Sequence, residues 1–286
     1  MTTGFDLRII AIALAVLGAV ALSFGTQFQN DAVVSRNKPK VQGRGSLSFK
    51  QLIALLAHPK WWSGTVVMGV AILLQLASLS LAPLIVVQPI GAIALVITSV
   101  LNAKVTKTKL NRATIFAVVL CTTGIAAFVA MASGTAAENE LTDDRLREVL
   151  GVLGAILAIF SALFFTLGKR MKALSYVIGA GVLYGFVATL AKVVIQRVLQ
   201  NQFEWLTVFC LIALLGAVAL GGWFVQNAYS SGPPDLVIAG LTVIDPLVAV
   251  TIAIVILGEA QQASALTMLG FDLSGVVAVV GVYLIS

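Results

Sequence analysis

An aspartate followed by a proline, Asp245-Pro246, lies in the middle of a long apolar run, Leu236–Leu257. If that run is a helix crossing a membrane, about nine residues at 1.5 Å each put the carboxylate roughly 14 Å deep. An ionised group there costs roughly 2.5–3.5 kcal/mol on the insertion scale, so such residues face a bundle interior and serve a pathway. Pro246 has no N–H to give the Thr242 carbonyl one turn earlier, so a helix break is expected beside the carboxylate. An interrupted helix next to an acid is a candidate ion or proton site. The other reading is a structural aspartate bonded to a freed backbone group.

Three glutamines also lie within the apolar runs. Gln226 precedes Pro234 by about 12 Å of helix and so matches Asp245 on the neighbouring antiparallel span. Gln75 and Gln88 are its counterparts toward the other face. An amide both donates and accepts, so each glutamine can bind a polar substrate. Each can equally join two helices. A cavity lined by Gln75, Gln88, Gln226 and Asp245 is expected.

Lys192, Asp272 and Glu259 are further candidate charges in or beside apolar runs of the second half. Their depths disfavour Lys192 as counter-ion to Asp245 and favour a Lys192–Asp272 pair, with Lys192 able to snorkel outward. Glu259, at the outer end of its run, is a gate or a solvated residue. Cys121 and Cys210 read as small apolar filler, and His58 as a solvated loop residue. The spacing of Gly181 and Gly185 suits close helix packing, and Tyr184 beside them is a secondary candidate for the cavity wall. Nothing in these spacings is a nucleophile–base arrangement, a phosphate loop or a metal cluster, and no cofactor is expected beyond a proton or Mg2+ as coupling or transported ion.

The elements that must hold these residues follow from composition. Hydrophobic residues make up 59% of the 286 and charged residues only 10%, against roughly 25% charged in soluble domains. That balance excludes a soluble enzyme. Crossing a hydrocarbon core takes about 20 apolar residues of helix. Nine stretches qualify: Leu7–Phe28, Gly64–Leu81, Leu84–Ala103, Ala113–Ala132, Leu150–Gly168, Leu174–Leu199, Leu206–Tyr229, Leu236–Leu257 and Ala265–Ile285. The fold class is therefore all-α, a polytopic membrane helix bundle. Ala19-Val20-Ala21 mimics a signal-peptidase site, but Asp6 offsets Arg8 and eight spans follow, so the first span is expected to be retained.

The net charge of +6 reads as a topology signal rather than a nucleic-acid footprint. Arg36, Lys38, Lys40, Arg44, Lys50 and Lys60 follow the first span; Lys104, Lys107, Lys109 and Arg112 the third; Lys169, Arg170 and Lys172 the fifth. Glu138, Glu140, Asp143, Asp144 and Glu148 gather on the alternate side. The positive-inside rule then places the N-terminus outside and the C-terminus in the cytoplasm of a bacterial cell membrane. Residues 47–57 are too short to span and read as an interfacial helix, or as a tenth membrane segment.

An internal repeat divides the chain. Gln75, Ala77, Ser80 and Pro83 recur at the same spacing as Gln226, Ala228, Ser231 and Pro234. Gln88-Pro89 answers Asp245-Pro246, and Gly124 and Gly281 lie equally far beyond these two prolines. The expected units are 1–133, with a basic cytoplasmic loop at 31–60; 134–173, an acidic external loop plus a linker span; and 174–286. An odd linker span inverts the second half, and inverted repeats broken at prolines such as Pro83, Pro89 and Pro246 are the architecture of secondary transporters.

Trp61-Trp62-Ser63-Gly64, the run to Ala82-Pro83, Val87-Gln88-Pro89-Ile90-Gly91-Ala92, and Asp245-Pro246 through Leu257-Gly258-Glu259 resemble the drug/metabolite transporter superfamily, in its EamA-like permease and NIPA-like magnesium-transporter branches. The resemblance runs from about Trp61 to the C-terminus. It implies alternating access by an inverted-repeat bundle and does not name the substrate. Nine spans depart from the ten-helix members and lie nearer the NIPA-like pattern. Asn102-Ala103-Lys104 stands where the second half has Gly258-Glu259, so the halves have diverged chemically. Three functions stay open: gradient-driven transport of a small metabolite or drug-like solute, which leads; NIPA-like transport of magnesium or another divalent cation, for which Asp245, Asp272 and Glu259 are a sparse set of ligands; and a non-transporting membrane subunit or partner of a lipid-carrier flippase. The partners expected are the solute or ion and the bilayer, not nucleic acid, with a homodimer left open.

Overall fold

The computed structural model describes residues 2–36, 59–105, 112–167, 172–232 and 234–285. Its helices are α1 (Thr2–Arg36), α2 (Pro59–Leu81), α3 (Leu84–Val87), a 3-10 turn at Gln88–Ala92, α4 (Ile93–Val105), α5 (Arg112–Thr135), α6 (Asp143–Leu167), α7 (Ala173–Leu199), α8 (Trp205–Ser231), α9 (Pro234–Val255) and α10 (Ala265–Ile285). With α3, the turn and α4 taken as one interrupted span, 9 segments among the described residues are long and apolar enough to cross a membrane. The expected interfacial helix at 47–57 lies outside the described residues.

The prolines shape the spans in different ways. Pro83 takes an extended backbone, with ψ 148°, and separates α2 from α3. Pro89 falls at the start of the 3-10 turn, where its missing N–H costs least. Pro246, by contrast, sits inside a continuous α9. The expected break there is corrected: α9 carries the proline without interruption, as membrane helices can when neighbouring helices brace them.

The packing follows the repeat. Within each half the most extensive contacts join α1 to α2 and α7 to α8, with α1 against α4 and α7 against α9 next. Glycines permit the close approaches. A Cβ on Gly64 would meet the Gly25 carbonyl oxygen at 2.8 Å, and Cβ atoms on Gly181 and Gly185 would meet Ile244 and Val248 at 2.7 Å. The two halves meet where α5 lies along α10. Contacts descend α10 as they ascend α5, from Cys121–Gly281 through Phe128–Phe271 to Met131–Gly270. The pair is antiparallel, so these equivalent helices cross in opposite senses, the geometry of an inverted repeat. The linker span α6 lies at the periphery, touching α8 through Phe160–Phe224 and Phe164–Trp223 ring contacts. Its Ile159, Leu163 and Phe165 are exposed, as a lipid-facing helix requires.

Candidate functional site

A cavity of about 670 Å³ lies between the two halves. Gly18, Leu22 and Thr26 of α1, Gln75 and Leu76 of α2, Gln88 and Thr98 of the interrupted span, Tyr184 of α7, Tyr229 of α8, and Ile238, Thr242 and Asp245 of α9 line it. These residues run from the middle of their helices toward the ends that lead into residues 37–58, 106–111, 168–171 and 232–233. The cavity thus occupies the half of the bundle beside the basic loops.

Among the described residues, Asp245 is the one charged residue in that wall. Its Oδ1 is buried and has no hydrogen-bond partner. The reason it sits there is the Gly181–Gly185 face of α7: a Cβ on Gly185 would come within 3.0 Å of the Asp245 carbonyl oxygen, so α9 lies against α7 at the acid itself. Thr242, one turn before, turns its hydroxyl back to the Ile238 carbonyl at 2.8 Å. Gln88 is 7% exposed and enters at the point where α3 gives way to the 3-10 turn. Gln75 reaches the wall from mid-α2, half-buried.

Gln226 does not join them. It is exposed and outside the lining residues, because the face of α8 that turns inward carries Phe224 and Ala228. Tyr229, one residue beyond Ala228, supplies the polar group from α8 instead. Depth along the span was matched, but rotation about the helix was not. Tyr184 packs over Gly221, where a Cβ would meet its ring at 3.0 Å. Five elements therefore bring Gln75, Gln88, Tyr184, Tyr229 and Asp245 to one chamber, a set with several neutral oxygen donors and, among the described residues, a single carboxylate.

The opposite end of the bundle is closed by polar contacts. Arg8 donates to the Ser133 and Ala136 carbonyls at 2.5 and 2.6 Å. Asn139 and Arg145 donate to the Leu257 carbonyl at 3.3 and 2.6 Å. Arg197 pairs with Asp143 and donates to Gln202 at 2.6 Å.

Lys192 and Glu259 differ from their expected places. Lys192 is 1% exposed and does not snorkel. It bonds the Leu79 and Ala82 carbonyls and pairs with Glu138. Asp272 is exposed on α10, so the expected Lys192–Asp272 pair does not form. Glu259 is 3% exposed rather than solvated, and its carboxylate accepts the N–H groups of Leu84 and Ile85 at 3.0 and 2.8 Å. The signal for Lys192 was present in the sequence. Pro83 cannot donate to the carbonyl four residues earlier, which leaves Leu79 in need of a donor.

An all-helical membrane bundle with a chamber between its two halves is a build suited to membrane transport. The family model described as magnesium transporter NIPA matches residues 7–286, and the chain belongs to that family, within the drug/metabolite transporter superfamily. A Corynebacterium glutamicum protein of uncharacterised function is 26% identical over 261 residues, which is 89% of this chain and 87% of that protein. The probable magnesium transporter NIPA1 of Arabidopsis thaliana is 35% identical over 69 residues, 24% of this chain and 21% of that one. No solved structure matches the chain.

Proposed function

We propose that the protein carries a divalent cation, Mg2+ in the first instance, through the chamber that Asp245 lines. The observation that carries this reading is the buried, unpartnered Oδ1 of Asp245 in a wall that, among the described residues, has no Lys, Arg or His. A lone carboxylate among neutral oxygens attracts a cation and gives an anion no partner. Among the described residues no group of three His, Cys, Asp or Glu is placed to chelate a metal, so the ion is not stripped bare. Mg2+ dehydrates reluctantly and keeps several waters when few carboxylates are offered. Six waters at about 30 Å³ each need roughly 180 Å³, well within the chamber. Asp245 then holds the ion through its water shell while Gln75, Gln88, Tyr184 and Tyr229 bond the outer waters.

Transport runs down the cation's own electrochemical gradient or against protons, with Asp245 as the group at which the two compete. The positive loops support a chamber on the cytoplasmic side and an N-terminus outside. The family match and the Arabidopsis relative's description support the choice of ion. The competing solute is a small metabolite or drug-like molecule, favoured by the apolar part of the wall, Leu22, Leu76, Ile238 and Leu241 among it. Purified protein in liposomes with an internal Mg2+ indicator decides between them. Saturable Mg2+ entry that Asp245→Asn abolishes supports the cation; no Mg2+ entry above empty liposomes overturns it.

A further inference from the structure

Two charges from the second half hold the two sides of one proline break in the first. Pro83 ends α2 and, without an N–H, leaves the Leu79 carbonyl with no helical donor; the chain then turns away and frees the Ala82 carbonyl as well. Lys192 of α7 donates its Nζ to both, at 2.7 and 2.8 Å. A cation at the C-terminal end of α2 also complements that helix's dipole. Beyond the proline, α3 starts with N–H groups that no helical carbonyl can reach. Glu259, from the turn between α9 and α10, accepts two of them, those of Leu84 and Ile85. The linker joins the same cluster: Glu138 pairs with Lys192, and Ala137 donates its N–H to the Glu259 carbonyl at 2.8 Å.

We propose that Lys192 and Glu259 form the gate on the face opposite the basic loops: while both sides of the Pro83 break are held, the chamber is shut from that face, and their release opens it. The bonds join α7 and the α9–α10 turn to the α2–α3 break, so any rocking of one half against the other that parts this face must break them. A charge left unpaired in a dry interior is strongly unfavourable, so release requires water to enter with it, and the gate is open or shut with little between. The gate also reaches the chamber. Leu84, Ile85, Val86 and Val87 are fully buried, so α3 moves as a plug, and Gln88 follows it directly. This holds for whichever solute the chamber takes.

Proton uptake at Glu259 supplies one route to release. Burial pushes its carboxyl up to about 7, the charge on Glu138 adding to the rise, while the Ile85 and Leu84 N–H groups and the Lys192 charge oppose it. As pH falls through that value the carboxylate loses its charge and its attraction for the two N–H groups.

The test is sided labelling of a cysteine at Leu76 in the chamber wall, in the full chain with Cys121→Ala and Cys210→Ala. An impermeant maleimide is applied to each face of membrane vesicles, and the rate from the opposite face is divided by that from the basic-loop face. Lys192→Met and Glu259→Gln are each expected to raise this ratio at least tenfold, and Lys192→Arg, whose guanidinium still reaches two carbonyls, to keep it low. Should neither variant fold, the chain with both residues intact is compared at pH 5.5 and pH 8.5, where the ratio is expected to be several-fold higher at pH 5.5. An unchanged ratio in folded Lys192→Met and Glu259→Gln, even with lowered melting temperatures, overturns the gate. So does an unchanged ratio between the two pH values if those variants are lost.

Discussion

Gly124 and Gly281 sit at reciprocal places on a single crossing. A Cβ on Gly124 would meet the Ala278 backbone nitrogen at 2.6 Å, and one on Gly281 would meet that of Cys121 at 2.4 Å. Cys121 and Ala278 are separated along the chain by the same interval as the two glycines, and as Pro89 and Pro246. The contact maps onto itself when the halves are exchanged, as a two-fold relation between α5 and α10 demands.

Gly124→Ala and Gly281→Ala should therefore each destabilise, by about 1–3 kcal/mol of overpacking, because the obstacle is backbone and cannot rotate away. Gly151 and Gly154 on the peripheral α6 have nothing within 4 Å of a Cβ. Alanine there should be neutral or gain about 0.5–1 kcal/mol of helix stability. Melting in detergent separates the two pairs; equal effects at all four glycines would contradict the shared crossing.

The repeat was legible because it lies in punctuation: prolines, glycines and amides in a background of Ala, Leu and Val stand out even where the apolar residues between them have drifted. The nine spans were legible because the bilayer sets their length. The site was only partly legible. Asp245, Gln75 and Gln88 line the chamber, although the sequence places the two glutamines toward the other face, and Gln226 does not, since depth fixes height along a helix and not which side faces inward. Lys192 and Glu259 belong to the second half, whereas the groups they hold at the Pro83 break are backbone groups of the first. Such a partner shows in a sequence only as the carbonyl a proline leaves free. The continuous α9 departs for a related reason: a membrane helix tolerates Pro246 when neighbours support it, and those neighbours are tertiary.

Sidedness is the next prediction. Glu140 is exposed in the linker loop and Lys172 is exposed just before α7. Cysteine at Glu140 should react with an impermeant reagent in intact cells, and cysteine at Lys172 only after permeabilisation. Asn139 is a poorer reporter, because its amide is bonded to the Leu257 and Gly258 carbonyls. The reverse labelling pattern would invert the orientation and place the chamber on the outer side.

Carriage of a hydrated ion has its own signature. Hexaamminecobalt(III) has the shape of a hexaaqua ion and does not exchange its ligands. It should compete with Mg2+ for entry, at concentrations comparable to those of Mg2+ itself. Competition by Mn2+ with none from the hexaammine would mean direct coordination by the Asp245 carboxylate, and transport of a partly stripped ion.

The most direct measurement of the whole account is Mg2+ flux in liposomes with Asp245→Asn beside the unsubstituted protein. Asparagine keeps the size of the side chain and removes its charge, so folding and reconstitution should survive. Saturable Mg2+ entry is expected for the unsubstituted protein and a loss of at least tenfold in the variant, with the pH dependence of flux lost as well. Undiminished Mg2+ entry through folded Asp245→Asn would contradict it.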